Sequence, residues 1–251
     1  MTGRTLSGRD TRLATLASSI LAVEHVLVAL WRSADVDSEQ CHARVFDAWA
    51  DVALKHPTVL ACAVSVAETD QGIYANSPDA HGLVPNCDVL IALGLERAHD
   101  LDDVPERSLL YALAREVRVW RVDVHQPVVW DDPPPDGADA AGLKLVSFMR
   151  RNPELSHEQF VRHWTEQHAP LAVRHHIGLW NYRQNVVRRA FTPGGGDVDG
   201  VAELHFRSRH DFDTSFFDSD EGRAVIMADV KRFMRRTNDA ALMRERPLRT
   251  P

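Results

Sequence analysis

The chain has 251 residues, of which 44% are hydrophobic and 26% charged, a composition typical of a globular protein with an apolar core. Its net charge of −7 is spread along the sequence, which argues against a nucleic-acid partner. Three cysteines without a C-x-x-C spacing predict no disulfide framework and suit a reducing cytoplasm. The polar first twelve residues and the interrupted apolar stretch 13–31 favour neither a signal peptide nor a membrane span, so we expect a cytoplasmic protein without a membrane partner.

A proline-rich segment divides the sequence nearly in half. Three consecutive prolines, 133–135, cannot donate hydrogen bonds to a helix or a central strand, and they favour an extended backbone. Acidic and small residues surround them, as in a solvated connector. We therefore predict a linker at residues 131–142, between a first domain at 1–130 and a second domain at 143–251.

The two halves resemble each other most where each begins. Residues 26–32 align without a gap on residues 145–151, and both segments are typical of a strand. Each is followed by a capping-box pattern, which starts at Asp37 in the first half and at Ser156 in the second. In this motif the first side chain accepts a hydrogen bond from the helix, and a glutamine three residues later reaches back. An internal repeat of a strand and a capped helix decides the fold prediction.

Both halves then predict the ferredoxin-like order β-α-β-β-α-β. The remaining segments of the first half are strands at 59–67, 87–95 and 117–124, a loop at 70–86 and a helix at 104–115. Those of the second half are strands at 179–191, 201–207 and just before Pro247, a glycine-rich turn at 192–198 and a helix at 221–235. Two such sheets can bury their uncovered faces against each other. We predict an α+β protein in which two tandem ferredoxin-like domains form an intramolecular pseudo-dimeric α+β barrel.

A distinctive pattern occupies residues 155–172. It contains a capped helix with Phe160 and Trp164, followed by a His-x-Pro turn that starts at His168. With these features the second half resembles the EthD family of the dimeric α+β barrel superfamily. The gapless overlay places Trp49 where the second half has His168, so we expect the first domain to be degenerate and any family-type site to belong to the second. The resemblance implies the barrel but no single reaction, because related folds host cyclases, dehydratases, decarboxylases, monooxygenases and haem enzymes.

His168 is the predicted acid–base residue. It lies one helical turn after Trp164, on the same face, and the helix end favours a protonated imidazole. An ordinary pKa of about 6.5 allows a histidine to exchange protons near neutral pH. The structural alternative is a histidine that hydrogen-bonds the turn before Pro170.

Three further side chains are candidates for catalysis. Alternation along the strand 201–207 turns its apolar residues towards the helices and directs Glu203 and His205 into the barrel. There the two form a possible proton-transfer pair, in which burial would favour the protonated acid; the alternative is a wet position at the barrel mouth. Tyr182 is suited to polarise a carbonyl or stabilise an enolate, or else it packs its ring in the core. The residues predicted to contact the substrate are Phe148, Trp164 and Asn185.

These residues predict a cofactor-independent enzyme of secondary or catabolic metabolism, a lyase, cyclase or isomerase. It would move protons on an apolar, polyketide-like carbonyl compound held in a barrel cavity. One alternative is a cofactor-free or haem-dependent monooxygenase or oxidase, because some barrel relatives bind haem through a histidine of a C-terminal domain. Another is a non-catalytic accessory protein that binds a ligand. The histidine spacings match no metal motif, and we expect no metal, and a monomer with an internal pseudo-dimer or a homodimer.

Overall fold

The structure is a computed structural model that describes residues 23–68, 87–104, 106–235 and 239–250. The first twenty-two residues and the predicted loop at 70–86 lie outside the described residues. The first half forms β1 (Glu24–Arg32), α1 (Ser38–Lys55), β2 (Val59–Ala67), β3 (Val89–Leu95), a 3-10 turn (Ala98–Asp103), α2 (Arg107–Leu113) and β4 (Ala114–Val128). The second half forms β5 (Leu143–Arg151), α3 (His157–Arg162), a π-helical turn (His163–His168), α4 (Ala169–His175), β6 (Leu179–Ala190), β7 (Gly200–Phe206), α5 (Arg209–Thr214), α6 (Asp220–Phe233), β8 (Met234–Arg235) and β9 (Ala240–Arg249).

The strands of each half pair in the ferredoxin-like order. This order is β4-β1-β3-β2 in the first half and β9-β5-β7-β6 in the second. Antiparallel pairing of β4 with β6 and of β2 with β9 joins the two sheets at both seams, so the main strands close into one barrel. The predicted α+β fold, with two ferredoxin-like units in an internal pseudo-dimeric barrel, is confirmed.

The first helix of each half begins at the predicted cap. In the second half, the Ser156 hydroxyl accepts from the Gln159 amide at 3.2 Å, and the Gln159 side chain accepts from the Ser156 amide at 2.8 Å. In the first half, the Asp37 carboxylate accepts from the Gln40 amide at 2.9 Å, which is the first of the two bonds. These caps satisfy helix N–H groups that would otherwise lack partners.

Apolar side chains form three clusters, which explain the layered architecture. One lies between the first sheet and its helices, and Trp49 is fully buried in it. A second lies between the second sheet and its helices and contains Phe160, Trp164 and Phe233. The third lies inside the barrel, at the end that holds Trp120. Alternation of side chains along each strand separates the inner cluster from the outer two.

The linker is more ordered than its composition predicts. The Gly137 amide donates to the Pro247 carbonyl at 2.7 Å, and the Ala140 amide donates to the Glu245 carbonyl at 2.8 Å. A side-chain ion pair of 2.7 Å between Asp139 and Arg246 adds to these contacts. The connection between the halves therefore runs along β9 and crosses one end of the barrel.

The first half also departs from the sequence prediction at its second helix. Instead of one helix at 104–115 it has the 3-10 turn followed by α2, which ends at Leu113. Ala114 already pairs with Arg32 of β1, so β4 is longer than the predicted strand. The short helix α5 and the two-residue strand β8 have no counterpart among the elements predicted from the sequence. Within the described residues, no helix is long and apolar enough to span a membrane.

Candidate active site

A cavity of about 390 Å³ lies inside the barrel, at the end where the linker crosses. Small side chains of β2 and β3, including Ala61, Ala63 and Ala92, leave this space open. Trp130 and the linker prolines 133 and 134 line its other side. A volume of this size falls within the range of about 300–1,000 Å³ that is common for small-molecule sites.

The closed end of the cavity is built from charged side chains. Lys144 donates to one carboxylate oxygen of Glu203 and to one of Glu245. The Asn185 amide donates to the other oxygen of Glu203 at 2.8 Å. A guanidinium nitrogen of Arg183 lies 3.5 Å from the other oxygen of Glu245. Two cations and two carboxylates thus balance each other in a buried network.

The charges in this network shift the pKa values of Lys144 and Glu245 in opposite directions. Burial alone would lower the pKa of Lys144, but the negative charges of Glu203 and Glu245 outweigh it and raise that pKa above its ordinary value. Burial would raise the pKa of Glu245, but the charges of Lys144 and Arg183 outweigh it and lower that pKa to about 2. At neutral pH the lysine therefore keeps its proton and Glu245 has none to give.

Arg183 is the cation of this network that reaches the cavity. Its side chain is 21% exposed, whereas that of Lys144 is 2% exposed. The guanidinium carbon lies 5.4 Å from the ring centre of Trp130, at a distance that allows a cation–π contact. With one long contact to Glu245, the guanidinium retains N–H donors for a molecule in the cavity.

His25 of β1 lines the same cavity from the first half of the chain. Burial lowers the pKa of His25, and the positive charge of Arg183 lowers it further. The imidazole is therefore neutral at neutral pH and has a lone pair that can accept a proton. A neutral base and a fixed cation thus border one apolar chamber.

Glu203 and His205 both point into the barrel, as predicted, but the structure gives them different partners. Lys144 and Asn185 occupy the two oxygens of Glu203. The His205 ring packs 4.9 Å from the ring of Trp130, and its Nε2 lies 3.1 Å from the Ala141 carbonyl oxygen. Burial lowers the pKa of His205 to about 4. His205 is therefore a neutral residue behind the mouth of the cavity, and the expected proton-transfer pair does not form.

His168 lies outside the barrel, in the layer between the second sheet and its helices. Its Nδ1 is 2.9 Å from one oxygen of Asp229, and Nε2 of His163 is 2.9 Å from the other. Burial lowers the pKa of His168 and outweighs the opposite effect of Asp229. The protonation expected from the helix end is thus opposed by burial. The structure does not bring His168 together with Glu203.

Trp164 and Tyr182 belong to the same outer layer. The indole nitrogen of Trp164 donates to the Tyr182 hydroxyl at 3.3 Å, and the Gln184 amide donates to that hydroxyl at 2.9 Å. Burial raises the pKa of Tyr182 to about 12. Both rings are fully buried and pack the layer between the sheet and the helices.

Of the residues predicted to contact a substrate, Asn185 lines the cavity. Phe148 points into the barrel, but its ring lies in the packed inner cluster, 5.9 Å from the rings of both Trp31 and Trp120. Trp164 lies outside the barrel, as described above.

Comparison with known families identifies part of the chain. Residues 152–237 match the family model described as the EthD domain. The second half carries an EthD domain. No curated protein matches the sequence of the chain.

Solved structures resemble the whole chain at low sequence identity. An anthrone oxidase-like protein superimposes with a TM-score of 0.59 at 12% identity, covering 90% of this chain and 93% of that one. A mutant chlorite dismutase from Candidatus Nitrospira defluvii gives a TM-score of 0.50 at 12% identity and covers 94% and 96%. A candidate monooxygenase from Fusobacterium nucleatum subsp. nucleatum ATCC 25586 gives 0.50 at 10% identity and covers 90% and 92%. The similarity shows that the EthD domain forms one half of a barrel shared by these proteins.

Three histidines of the EthD domain, His163, His168 and His176, do not fit a haem site. An axial histidine needs a ring nitrogen that faces a space for the porphyrin. His163 and His168 are bound to Asp229, and Nδ1 of His176 is 2.6 Å from the Phe216 carbonyl oxygen. None of these three histidines lines the barrel cavity. Within the described residues, no group of three or more potential metal ligands comes together.

Sequence reasoning missed the residues that distinguish the cavity. The alternation that directed Glu203 into the barrel also directs Arg183, two residues before Asn185, to the same side. Lys144 is a charged residue within an apolar strand, a second available signal. His25 carried no signal, because it is a single histidine at the start of an apolar strand in the half without the family motif.

Proposed function

We propose that this protein is a cofactor-independent oxidase or monooxygenase. It binds an apolar, carbonyl-bearing ring compound in the barrel cavity, removes a proton from it and exposes the resulting anion to dioxygen. The observation that carries this proposal is the pairing of a neutral base, His25, with a fixed cation, Arg183, at the border of one apolar chamber.

Proton removal follows from the properties of these two residues. The His25 lone pair accepts a proton from a carbon next to, or conjugated with, the substrate carbonyl. The Arg183 guanidinium donates to the oxygen on which negative charge develops. The network behind Arg183 keeps it in place, because Glu245 carries a negative charge at neutral pH. The apolar walls strengthen this electrostatic stabilisation, since they exclude water.

The fate of the anion depends on what else borders the cavity. An isomerase, cyclase or dehydratase returns a proton at a new position and commonly uses an acid placed there. Lys144 holds its proton, and Glu245 has none to give near neutral pH. The remaining proton source is the one that His25 has just received. Reaction with dioxygen needs no acid placed at a new carbon, because the proton that His25 receives can leave with the second oxygen atom as water, and this supports an oxidative reaction.

The proposed reaction balances without a reductant. A methylene group activated by the carbonyl loses two hydrogens and gains one oxygen atom to become a ketone. The second oxygen atom of dioxygen leaves as water with those two hydrogens. The names of two proteins with similar folds, the anthrone oxidase-like protein and the candidate monooxygenase, agree in kind with this reaction.

The test is turnover of anthrone by the full chain, followed with an oxygen electrode and by mass spectrometry under ¹⁸O₂. We expect one dioxygen consumed per substrate and one labelled oxygen in the ketone, above the rate of spontaneous oxidation. His25→Asn should lower kcat by about 10²–10⁴-fold, because the base is lost. Arg183→Gln should lower kcat by about 10²-fold, because the anion loses its stabilising donor.

His168→Asn is the matched control, since it makes the same substitution in the outer layer, and it should leave turnover unchanged. His210→Asn is a second control, with the same substitution at an exposed position. Loss of turnover in His168→Asn with an unchanged melting temperature, while His25→Asn stays active, would move the site to the outer layer and refute the proposal. Product formation without oxygen consumption would instead support the lyase, cyclase or isomerase that the sequence predicted. Binding without turnover would favour the accessory ligand-binding role.

A further inference from the structure

The charges at the closed end of the cavity cancel before any ligand enters. Lys144 and Arg183 supply two positive charges, and Glu203 and Glu245 supply two negative charges. All four side chains are buried or mostly buried, so water screens them poorly. The field that a ligand meets at this end is therefore set by the balance of these four groups.

An anionic ligand would break that balance. Arg183 lines the cavity, and its guanidinium already contacts Glu245, whose Oε1 lies 3.5 Å away. A sulfonate or carboxylate there would be a third negative charge for two cations, next to a carboxylate that is 1% exposed. Like charges at short range in a poorly screened site repel each other strongly.

A neutral ligand keeps the balance, even while it reacts. When His25 takes a proton from a neutral molecule, one positive and one negative charge appear together inside the cavity. The four buried side chains, the protonated His25 and the substrate anion then carry three positive and three negative charges, which cancel.

One more charged side chain lines the cavity, Arg249 of β9. Its guanidinium donates to the Ala53 carbonyl oxygen of α1 at 3.2 Å. Arg249 lies four residues beyond Glu245 along β9, about 13 Å at ~3.3 Å per residue, so its charge lies away from the closed end. Arg249 therefore does not compensate an anion beside Arg183.

We infer that Glu245 makes the cavity select neutral ring compounds and reject anionic compounds with the same ring skeleton. This inference rests on the proposed use of the barrel cavity as the binding site. Glu245 acts here by holding Arg183, and it is a specificity-determining residue rather than a proton donor or acceptor.

Two fluorescent probes test this inference on the full chain. N-phenyl-1-naphthylamine is neutral, and 8-anilinonaphthalene-1-sulfonate has the same skeleton with one added negative charge. The wild type should bind the neutral probe at least about tenfold more tightly. Glu245→Gln keeps the shape of the side chain and removes its charge, so the anionic probe should gain about tenfold in affinity while the neutral probe changes little.

Arg183→Gln removes a cation from the same end and should shift the preference in the opposite direction. If Glu245→Gln does not fold, the probe affinities of Arg183→Gln test the inference instead. The control is Glu154→Gln, which makes the same substitution at an exposed position and should leave both affinities unchanged. Displacement of the anionic probe by the neutral one in Glu245→Gln verifies that they share a site.

Equal affinity of the wild type for both probes would overturn the inference, and oxygen consumption with anthrone would then still leave the proposed function standing. An unaltered preference in both Glu245→Gln and Arg183→Gln would overturn it as well. Failure of the neutral probe to bind would refute it, and the absence of anthrone turnover in the same sample would refute the proposed function too.

Discussion

Gly200, the first residue of β7, makes a tight contact with Trp164 in the outer layer of the EthD domain. A Cβ atom at this position would lie 2.5 Å from one atom of the Trp164 ring and 2.9 Å from another. The ring is fully buried and donates a hydrogen bond to Tyr182, so it has little room to move. The absence of a side chain at residue 200 is therefore what allows Trp164 to lie against the sheet.

Replacement of Gly200 by alanine should lower the free energy of unfolding by about 1–3 kcal/mol, because it overpacks this contact. The double variant Gly200→Ala/Trp164→Phe should lose less than the sum of the two single variants, since phenylalanine lacks the ring atoms that clash. Urea unfolding measures both effects. Gly196→Ala is the control, because no atom lies within 4 Å of its added Cβ. A fully stable Gly200→Ala variant would show that the indole ring shifts freely.

Single residues also show how far the sequence alone could predict the site. Alternation along one strand correctly directed Glu203 and His205 into the barrel, because that pattern is local. The partners of Glu203 come from other strands: Lys144 lies 59 positions earlier, and Glu245 shares that lysine from β9. Such contacts depend on the pairing of distant strands, which a single sequence does not fix.

Among the secondary-structure elements, the π-helical turn at His163–His168 also brings together residues that the sequence pattern did not pair. Residues five apart in an α-helix point about 140° away from each other. The wider π turn brings His163 and His168 to the same side, and there they bind the two oxygens of Asp229. Sequence periodicity predicted an ordinary helix, so it paired His168 with Trp164 and missed Asp229.

The linker covers one side of the cavity. Prolines 133 and 134 line the mouth, next to Trp130, and hydrogen bonds at Gly137 and Ala140 attach the following segment to β9. Proline restricts the backbone, so this cover is stiff even though residues 131–133 are exposed. A ligand that leaves the cavity past this side has to displace the cover.

Pro133→Gly/Pro134→Gly should therefore release a ligand faster, with a loss of about 1 kcal/mol in the free energy of unfolding. Stopped-flow dissociation of N-phenyl-1-naphthylamine measures the release rate. Pro135→Gly is the matched control, because Pro135 is exposed and does not line the cavity. An equal release rate in all three proteins would show that the ligand leaves by another route.

At the scale of the whole molecule, closure of the barrel explains why the candidate site differs from the one that the sequence predicted. The internal repeat and the two capped helices were sufficient to predict the barrel, which is confirmed. The resemblance to the EthD family confined the predicted site to the second half. In the structure, His25 comes from the first half and Arg183 from the second, so the cavity needs both domains. A site at the junction of two repeats has no signature in either repeat.

Stability of the whole barrel should depend on pH in two windows. Burial lowers the pKa of His176 and of His205 from an ordinary 6.5 to about 4. Between these values the unfolded chain binds more protons than the folded chain, so the free energy of unfolding rises with pH. The contribution of each neutral histidine is fully present above pH 6.5 and is lost as the pH falls to about 4. Glu245 contributes in the same direction at lower pH: its stabilisation is present above its ordinary pKa of 4.5 and is lost as the pH falls towards 2.

The histidine window can be separated from the carboxylate window by substitution. His176→Asn keeps a donor for the Phe216 carbonyl, and His205→Gln keeps one for the Ala141 carbonyl. Each variant should reduce the slope of the unfolding free energy between pH 4 and pH 6.5 by about one bound proton, worth up to ~3 kcal/mol over the window. Urea unfolding across this range measures the slope, and His210→Asn at the surface should leave it unchanged. An unchanged slope in both His176→Asn and His205→Gln would mean that these rings are protonated in the folded barrel, because only then would folding release no proton from them.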